Sequence, residues 1–132
     1  MQSSKDLLSE IYFKIKNTGL IDEEIINYLE SIFPDKTPNI LEVMKRGITK
    51  YTFTSSNIIV WTAMGENNEY LIFPKIYCSC LDFYKNVTIK RIRGFCKHIV
   101  AQVICEALNN YQEKKSEDRH YGDLIKDLRL KD

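Results

Sequence analysis

Two short pairs of soft ligands constrain this chain more than any other feature. They are Cys-x-Cys at 78–80 and Cys-x-His at 96–98, with residues 81–95 between them. Zinc takes four nitrogen or sulfur ligands in a tetrahedron, and a structural site leaves no coordination position open. Alternate residues of a β-strand share a face, so a strand through 78–80 aims the sulfurs of Cys78 and Cys80 one way and turns Ser79 the other. The second pair cannot lie wholly inside a helix, where positions i and i+2 diverge by about 200° at about 3.6 residues per turn. Cys96 therefore belongs to the turn before a helix and His98 to its first turn, with Gly94 supplying backbone freedom. The spacing predicts a strand end, a loop and a helix start joined by one Zn2+ on Cys78, Cys80, Cys96 and His98.

Three other readings of these residues compete with that one. Free cysteines are often simply buried, but two close pairs, one ending a strand and one opening a helix, are hard to obtain by accident. A catalytic zinc needs an open position and a nearby base, and neither is visible. A Cys-x-Cys redox pair leaves Cys96 and His98 without a role. The fourth cysteine, Cys105, falls mid-helix on or near an apolar face and reads as core, while His120 sits in a polar stretch and reads as exposed.

The flanking periodicity supplies the elements that this spacing demands. Leu7, Leu8, Ile11 and Ile15 recur at helical spacing up to Asn17 and Gly19. Asp22 can cap a second helix with Glu23 and Glu24 in its first turn, and Pro34 ends it. Thr37 before Pro38 reads as the cap of a third helix that stops at Gly47. The period then changes: 48–54, 58–64 and 69–77 are rich in β-branched and aromatic residues and predict a three-stranded antiparallel meander. Pro74 places the last of these at an edge or bends it. Helical spacing returns at Ile99, Val103, Ile104 and Leu108, and residues 112–120 read as a solvated helix end or linker. Leu124, Ile125 and Leu128 suggest a last amphipathic helix. The expected fold class is α+β, with short N-terminal helices (1–47), the meander with the ββα-type zinc unit and its helix (48–110), and a charged helical tail (111–132). All of it forms one compact domain, as suits 132 residues.

No apolar run approaches the roughly 20 residues that span a bilayer. The start, MQSSKDLLSE, has no signal-peptide pattern. An intracellular protein with reduced thiols is therefore expected, with no membrane and no small-molecule substrate. The formal charge is +1 but uneven: 1–44 carries −4, 45–98 carries +6 and 99–132 carries −1. Among the clustered cations, Lys85, Lys90, Arg91 and Arg93 lie in the 81–95 loop beside Phe83, Tyr84 and Phe95. Basic groups interleaved with stackable rings suit single-stranded DNA. The same cations also suit a second purpose, because three thiolates and an imidazole leave a zinc centre near −1 and neighbouring cations offset it.

Cys-x-Cys, a variable gap and Cys-x-His on a β-β-α frame resemble the SWIM zinc domain, with Cys78, Cys80, Cys96 and His98 on its four ligand positions. Residues 96–101 read Cys-Lys-His-Ile-Val-Ala, similar to the extended Cys-x-His-x-x-Ala motif of the small SWIM subunits of the Shu recombination complex. The string YCSC at 77–80, the aromatic Phe83, the helical N-terminal region and the length also look like that subunit. The clear match covers about residues 76–108. The resemblance implies a nuclear, non-enzymatic adaptor in homologous recombination. It would pair with a RecA-like recombinase paralogue and promote recombinase filaments on single-stranded DNA. Apolar residues of the last-named helical face, Ile99, Val103, Ile104 and Leu108, are candidates for partner contact, with ordinary core as the competing role. A stand-alone nucleic-acid-binding zinc module using residues 85–97 is the other functional reading.

Overall fold

The computed structural model describes residues 4–128, so the extreme ends of the 1–47 and 111–132 segments lie outside the described residues. The described residues begin with three helices: α1 (Ser4–Thr18), α2 (Glu23–Ile32) and α3 (Thr37–Arg46). Leu8, Ile11 and Ile15 place their side chains on one face of α1, and all three are fully buried. Gly19, at φ +75, closes this helix through its N–H to the Ile15 carbonyl at 2.7 Å. Asp22 caps α2: its Oδ1 accepts from the Ile25 N–H at 2.9 Å. The cap expected at Thr37 is not made. Thr37 is instead the first helical residue, its hydroxyl buried without a hydrogen-bond partner, and Lys36 occupies the cap position without a side-chain bond.

Among the described residues the sheet has five strands, not the expected three. They are β1 (Ile48–Phe53), β2 (Ile58–Met64), β3 (Glu69–Phe73), β4 (Tyr77–Cys78) and β5 (Gln112–Ser116), in the order β4-β3-β2-β1-β5. The first four are antiparallel neighbours, whereas β5 runs parallel to β1 from Thr49↔Gln112 to Phe53↔Ser116. Pro74 splits the expected 69–77 strand. The chain turns at Phe73–Ile76, where the Ile76 N–H reaches the Phe73 carbonyl at 3.0 Å and Lys75 takes a left-handed φ of 70°. Residues 112–116 are therefore not a helix end or linker. Their run of charge is compatible with a strand because β5 is a sheet edge, where charged side chains reach solvent and discourage pairing with another chain.

Strand alternation sorts the side chains onto two faces. Ile48, Trp61, Ala63, Ile72 and Cys78 join α1–α3 and the central helix α4 (Lys97–Leu108) in the main core. Phe53, Val60 and Leu71 face the other way and pack with Leu128 of α5 (Tyr121–Leu128) in a smaller cluster. On that second face Glu69 accepts from Tyr51 at 2.9 Å and from Thr62 at 2.6 Å. Burial, and then the Glu69 carboxylate, push the Tyr51 hydroxyl up to about 12.

Helix α4 is enclosed almost all round, packed against α1, α3 and the sheet. Ile99 and Ile104 are fully buried, Val103 nearly so, and Leu108 is half-buried against the same core. The face expected to offer partner contact is thus covered by the chain's own elements. The reason is geometric: a helix with apolar groups on every side is interior to its domain.

Candidate metal centre

Cys78 ends β4 opposite Ile72 and faces the main core. The pairing to β3 continues one residue further: the Ser79 N–H reaches the Leu71 carbonyl at 2.9 Å, and the Leu71 N–H returns to Ser79 Oγ at 2.9 Å. Those two bonds turn Ser79 away from the cysteines on either side of it. Cys80 then starts the excursion 81–95, and Cys96 closes that excursion as the extended cap residue of α4 (φ −117, ψ 173). His98 follows in the first turn of the helix. All four side chains are buried, and their ligand atoms lie within 4.8 Å of one another.

These dimensions fit a zinc-type site. Zn–S and Zn–N bonds of about 2.3 and 2.0 Å in a tetrahedron put sulfurs about 3.8 Å apart and sulfur and nitrogen about 3.5 Å apart. Cys96 Sγ and His98 Nδ1 are 3.8 Å apart, and the longest separation, 4.8 Å, is one that a small contraction closes. Three thiols and an imidazole without carboxylates form a soft donor set, which selects zinc over magnesium or calcium. The cluster could hold one such ion with every donor used. The ion would supply a fixed tetrahedral crosslink, and the residues would supply its position.

Electrostatics inside the cluster show what the chain provides. Hydrogen bonds from the Cys78 and Cys96 thiols, with His98 beside them, hold the Cys80 thiol well below its usual range despite burial. Cys78 is pushed far up, first by its hydrogen bonds with Cys80 and Cys96 and then by burial. Cys96 is pushed up chiefly by burial. Of the three thiols Cys80 gives up its proton most readily, while Cys78 and Cys96 hold theirs. The Phe83 N–H donates to Cys80 Sγ at 3.3 Å and further favours charge there. The α4 N-terminus beside Cys96 favours negative charge as well. Because a metal needs all three thiolates, loading displaces the protons of Cys78 and Cys96. Apparent zinc affinity is therefore expected to fall about a hundredfold for each pH unit lost between pH 8 and 7. Competition against a chromophoric chelator at the two pH values checks the slope, and calorimetry in two buffers of different ionisation enthalpy counts the protons.

Two neighbours of the centre escaped the sequence reading. Tyr70 lies against the His98 ring with centroids 4.7 Å apart. Alternation could have found it, since Tyr70 shares a face with Ile72, the partner of Cys78. Asp82 organises the excursion: it accepts from Asn86 at 2.7 Å and pairs with Arg93 at 2.7 Å. No spacing rule signals that pairing. Residues Phe83–Ile89 form a π-helical segment rather than an irregular loop, with Phe83 buried against Tyr77.

The four cations proposed for DNA separate into two kinds. Lys85, Lys90 and Arg91 are exposed and make no ion pair among the described residues. Arg93 does not stand free with them: its guanidinium is bound to Asp82 and lies over the Phe33 ring at 5.2 Å. Of the interleaved rings, Phe83 and Phe95 are buried and Tyr84 is exposed. Cys105 is fully buried, burial pushes its thiol up to about 11, and it takes no part in the cluster. His120 is exposed.

No protein-family model matches the chain, and no solved structure does. Among curated proteins it is similar to the zinc finger SWIM domain-containing protein 7 homolog of Dictyostelium discoideum, 30% identical over 119 residues that make up 88% of this chain and 76% of the relative. It is also similar to zinc finger SWIM domain-containing protein 7 of Mus musculus, 26% identical over 92% of this chain and 81% of the relative. With the Homo sapiens protein of that name it shares 23% identity over 92% of this chain and 88% of the relative. A buried Cys-x-Cys, Cys-x-His cluster seated on a strand end and a helix start, together with these likenesses along most of the chain, places it: it belongs to the family of zinc finger SWIM domain-containing protein 7.

Proposed function

We propose that the chain is a non-catalytic, zinc-stabilised adaptor of the nucleus. In this reading it pairs with a RecA-like recombinase paralogue and promotes recombinase filament assembly on single-stranded DNA during homologous recombination repair. The observation that carries it is the closed character of the centre. All four ligand positions are taken by buried side chains, so an ion there crosslinks elements and has no position left for substrate. The likeness to the small SWIM subunits of the Shu recombination complex supplies the partner class. Affinity purification of the tagged full chain from its own cells is expected to recover a RecA-like paralogue in stoichiometric amount, and recovery of none overturns the reading.

One observation favours a second reading, a nucleic-acid-binding module. Lys85, Lys90 and Arg91 are exposed on the excursion, and so is Tyr84. A salt-steep gel shift by the isolated chain, with no recombinase paralogue recovered, would select it.

A further inference from the structure

Among the four ligands, His98 has the orientation that is hardest to fix. One side-chain torsion places a cysteine sulfur, whereas two place an imidazole nitrogen, and the second of these is broad. His98 stands in the first turn of α4 and lines a cavity of about 320 Å³ between α3 and the β2–β3 turn, with Asn39, Glu42, Glu66 and Tyr70 among the other walls. The ring therefore has space beside it into which it can turn away from the sulfurs. Metal-binding histidines are commonly held by a second hydrogen bond, from the outer ring N–H to a carboxylate or a carbonyl. Here the polar contacts of the ring are with sulfurs of its own cluster: Nδ1 lies 3.8 Å from Cys96 Sγ, and Cys80 is beside it. What meets the ring from outside the cluster is Tyr70, at 4.7 Å between centroids and 41° between planes.

Tyr70 is itself braced. It pairs with the buried Ala63 across β2 and packs against the main core. Its ring also comes close to Gly65: a Cβ at that position would stand 2.6 Å from Tyr70 Cε2 and 3.1 Å from the Asn68 carbonyl oxygen. Gly65 does not take a positive φ, so backbone conformation does not call for glycine there. The close approach of the tyrosine ring does.

We propose that Tyr70 is the positioning residue of the metal centre. It holds the His98 imidazole toward the three sulfurs, from a seat that glycine at position 65 leaves open, and so slows loss of the ion. An imidazole whose lone pair is given to a metal is electron-poor and pairs favourably with the electron-rich ring of a tyrosine. This role rests on the zinc reading of the centre and is independent of the partner the chain takes.

The zinc-loaded full chain is mixed with an excess of a chromophoric chelator, and the rate of zinc loss is recorded. Tyr70→Leu keeps apolar bulk but removes the aromatic ring, and it is expected to lose zinc about tenfold faster than the parent, as changes beside a metal ligand commonly do. Tyr70→Phe keeps the ring and should behave as the parent does. Gly65→Ala should accelerate loss with the tyrosine intact, because the added methyl displaces its ring. The His98 ring protons give a second readout by NMR: Tyr70 and phenylalanine shift them by ring current, and leucine does not. Ile104→Ala, a core truncation farther along α4, is the control that lowers stability while leaving zinc loss slow. Parent-like loss in Tyr70→Leu, loss as fast in Tyr70→Phe as in Tyr70→Leu, or equal acceleration by Ile104→Ala would overturn the role. Should Tyr70→Leu not fold, Gly65→Ala decides, and parent-like loss in it overturns the role as well. A parent that takes up no zinc overturns the reading of the centre together with this one.

Discussion

Replacing Cys78 with serine leaves the protein without stoichiometric zinc and unfolds the corner where β4, the excursion 81–95 and α4 meet. Three residual ligands and a hydroxyl cannot form the soft tetrahedral set. Structural zinc contributes apparent binding free energies of about 10–16 kcal/mol in small zinc modules, of the same order as the whole stability of a domain. Even a third of that lost at the centre lowers the melting temperature by about 15 °C for a chain of this size. Metal analysis of the purified variant and a thermal melt measure the two effects. Cys105→Ala is the control, because Cys105 is buried in α4 outside the cluster and its removal is expected to leave the metal content unchanged. A Cys78→Ser protein that kept its metal and its melting temperature would remove the centre from the account.

Ile104→Ala carries the second large effect and separates a core position from a docking position. Ile104 is fully buried on a helix enclosed by α1, α3 and the sheet. Truncation in such a place costs about 2–5 kcal/mol through lost transfer energy and a residual cavity. The expected urea midpoint shift corresponds to about 3 kcal/mol, with the slope unchanged. A surface residue reserved for a partner would change stability by less than about 0.5 kcal/mol and affect complex formation alone.

The clustering of Cys78, Cys80, Cys96 and His98, the helix order and the first three strands were legible because each is written as local periodicity or spacing. Cys78 and Cys80 fall two apart on a strand, and Leu8, Ile11 and Ile15 recur on one helical face. What was not legible depends on contacts distant in sequence. β5 is composed of Gln, Glu, Lys and Ser, none of which signals a strand, and it becomes one by pairing with β1 at the far side of the chain. The apolar side chains of α4 read the same whether they meet a partner or α1 and the sheet, and only packing decides. Arg93 shared the sequence character of Lys90 and Arg91 until its pairing with Asp82 set it apart.

The parallel edge strand has a consequence for how the molecule assembles. Thr49 and Gln112 pair across an interval that contains the rest of the sheet, the excursion and all of α4. Parallel pairing of this kind cannot be zipped from a hairpin and must wait until the intervening chain is ordered. The cysteine and histidine ligands sit within that interval and, once joined through an ion, shorten the free chain whose ends must meet. A chain emerging from synthesis can therefore close its metal corner before its sheet is finished. With an ion bound early, the open flank of β1 would stay unpaired for less time, and the centre would act on folding order as well as on final stability.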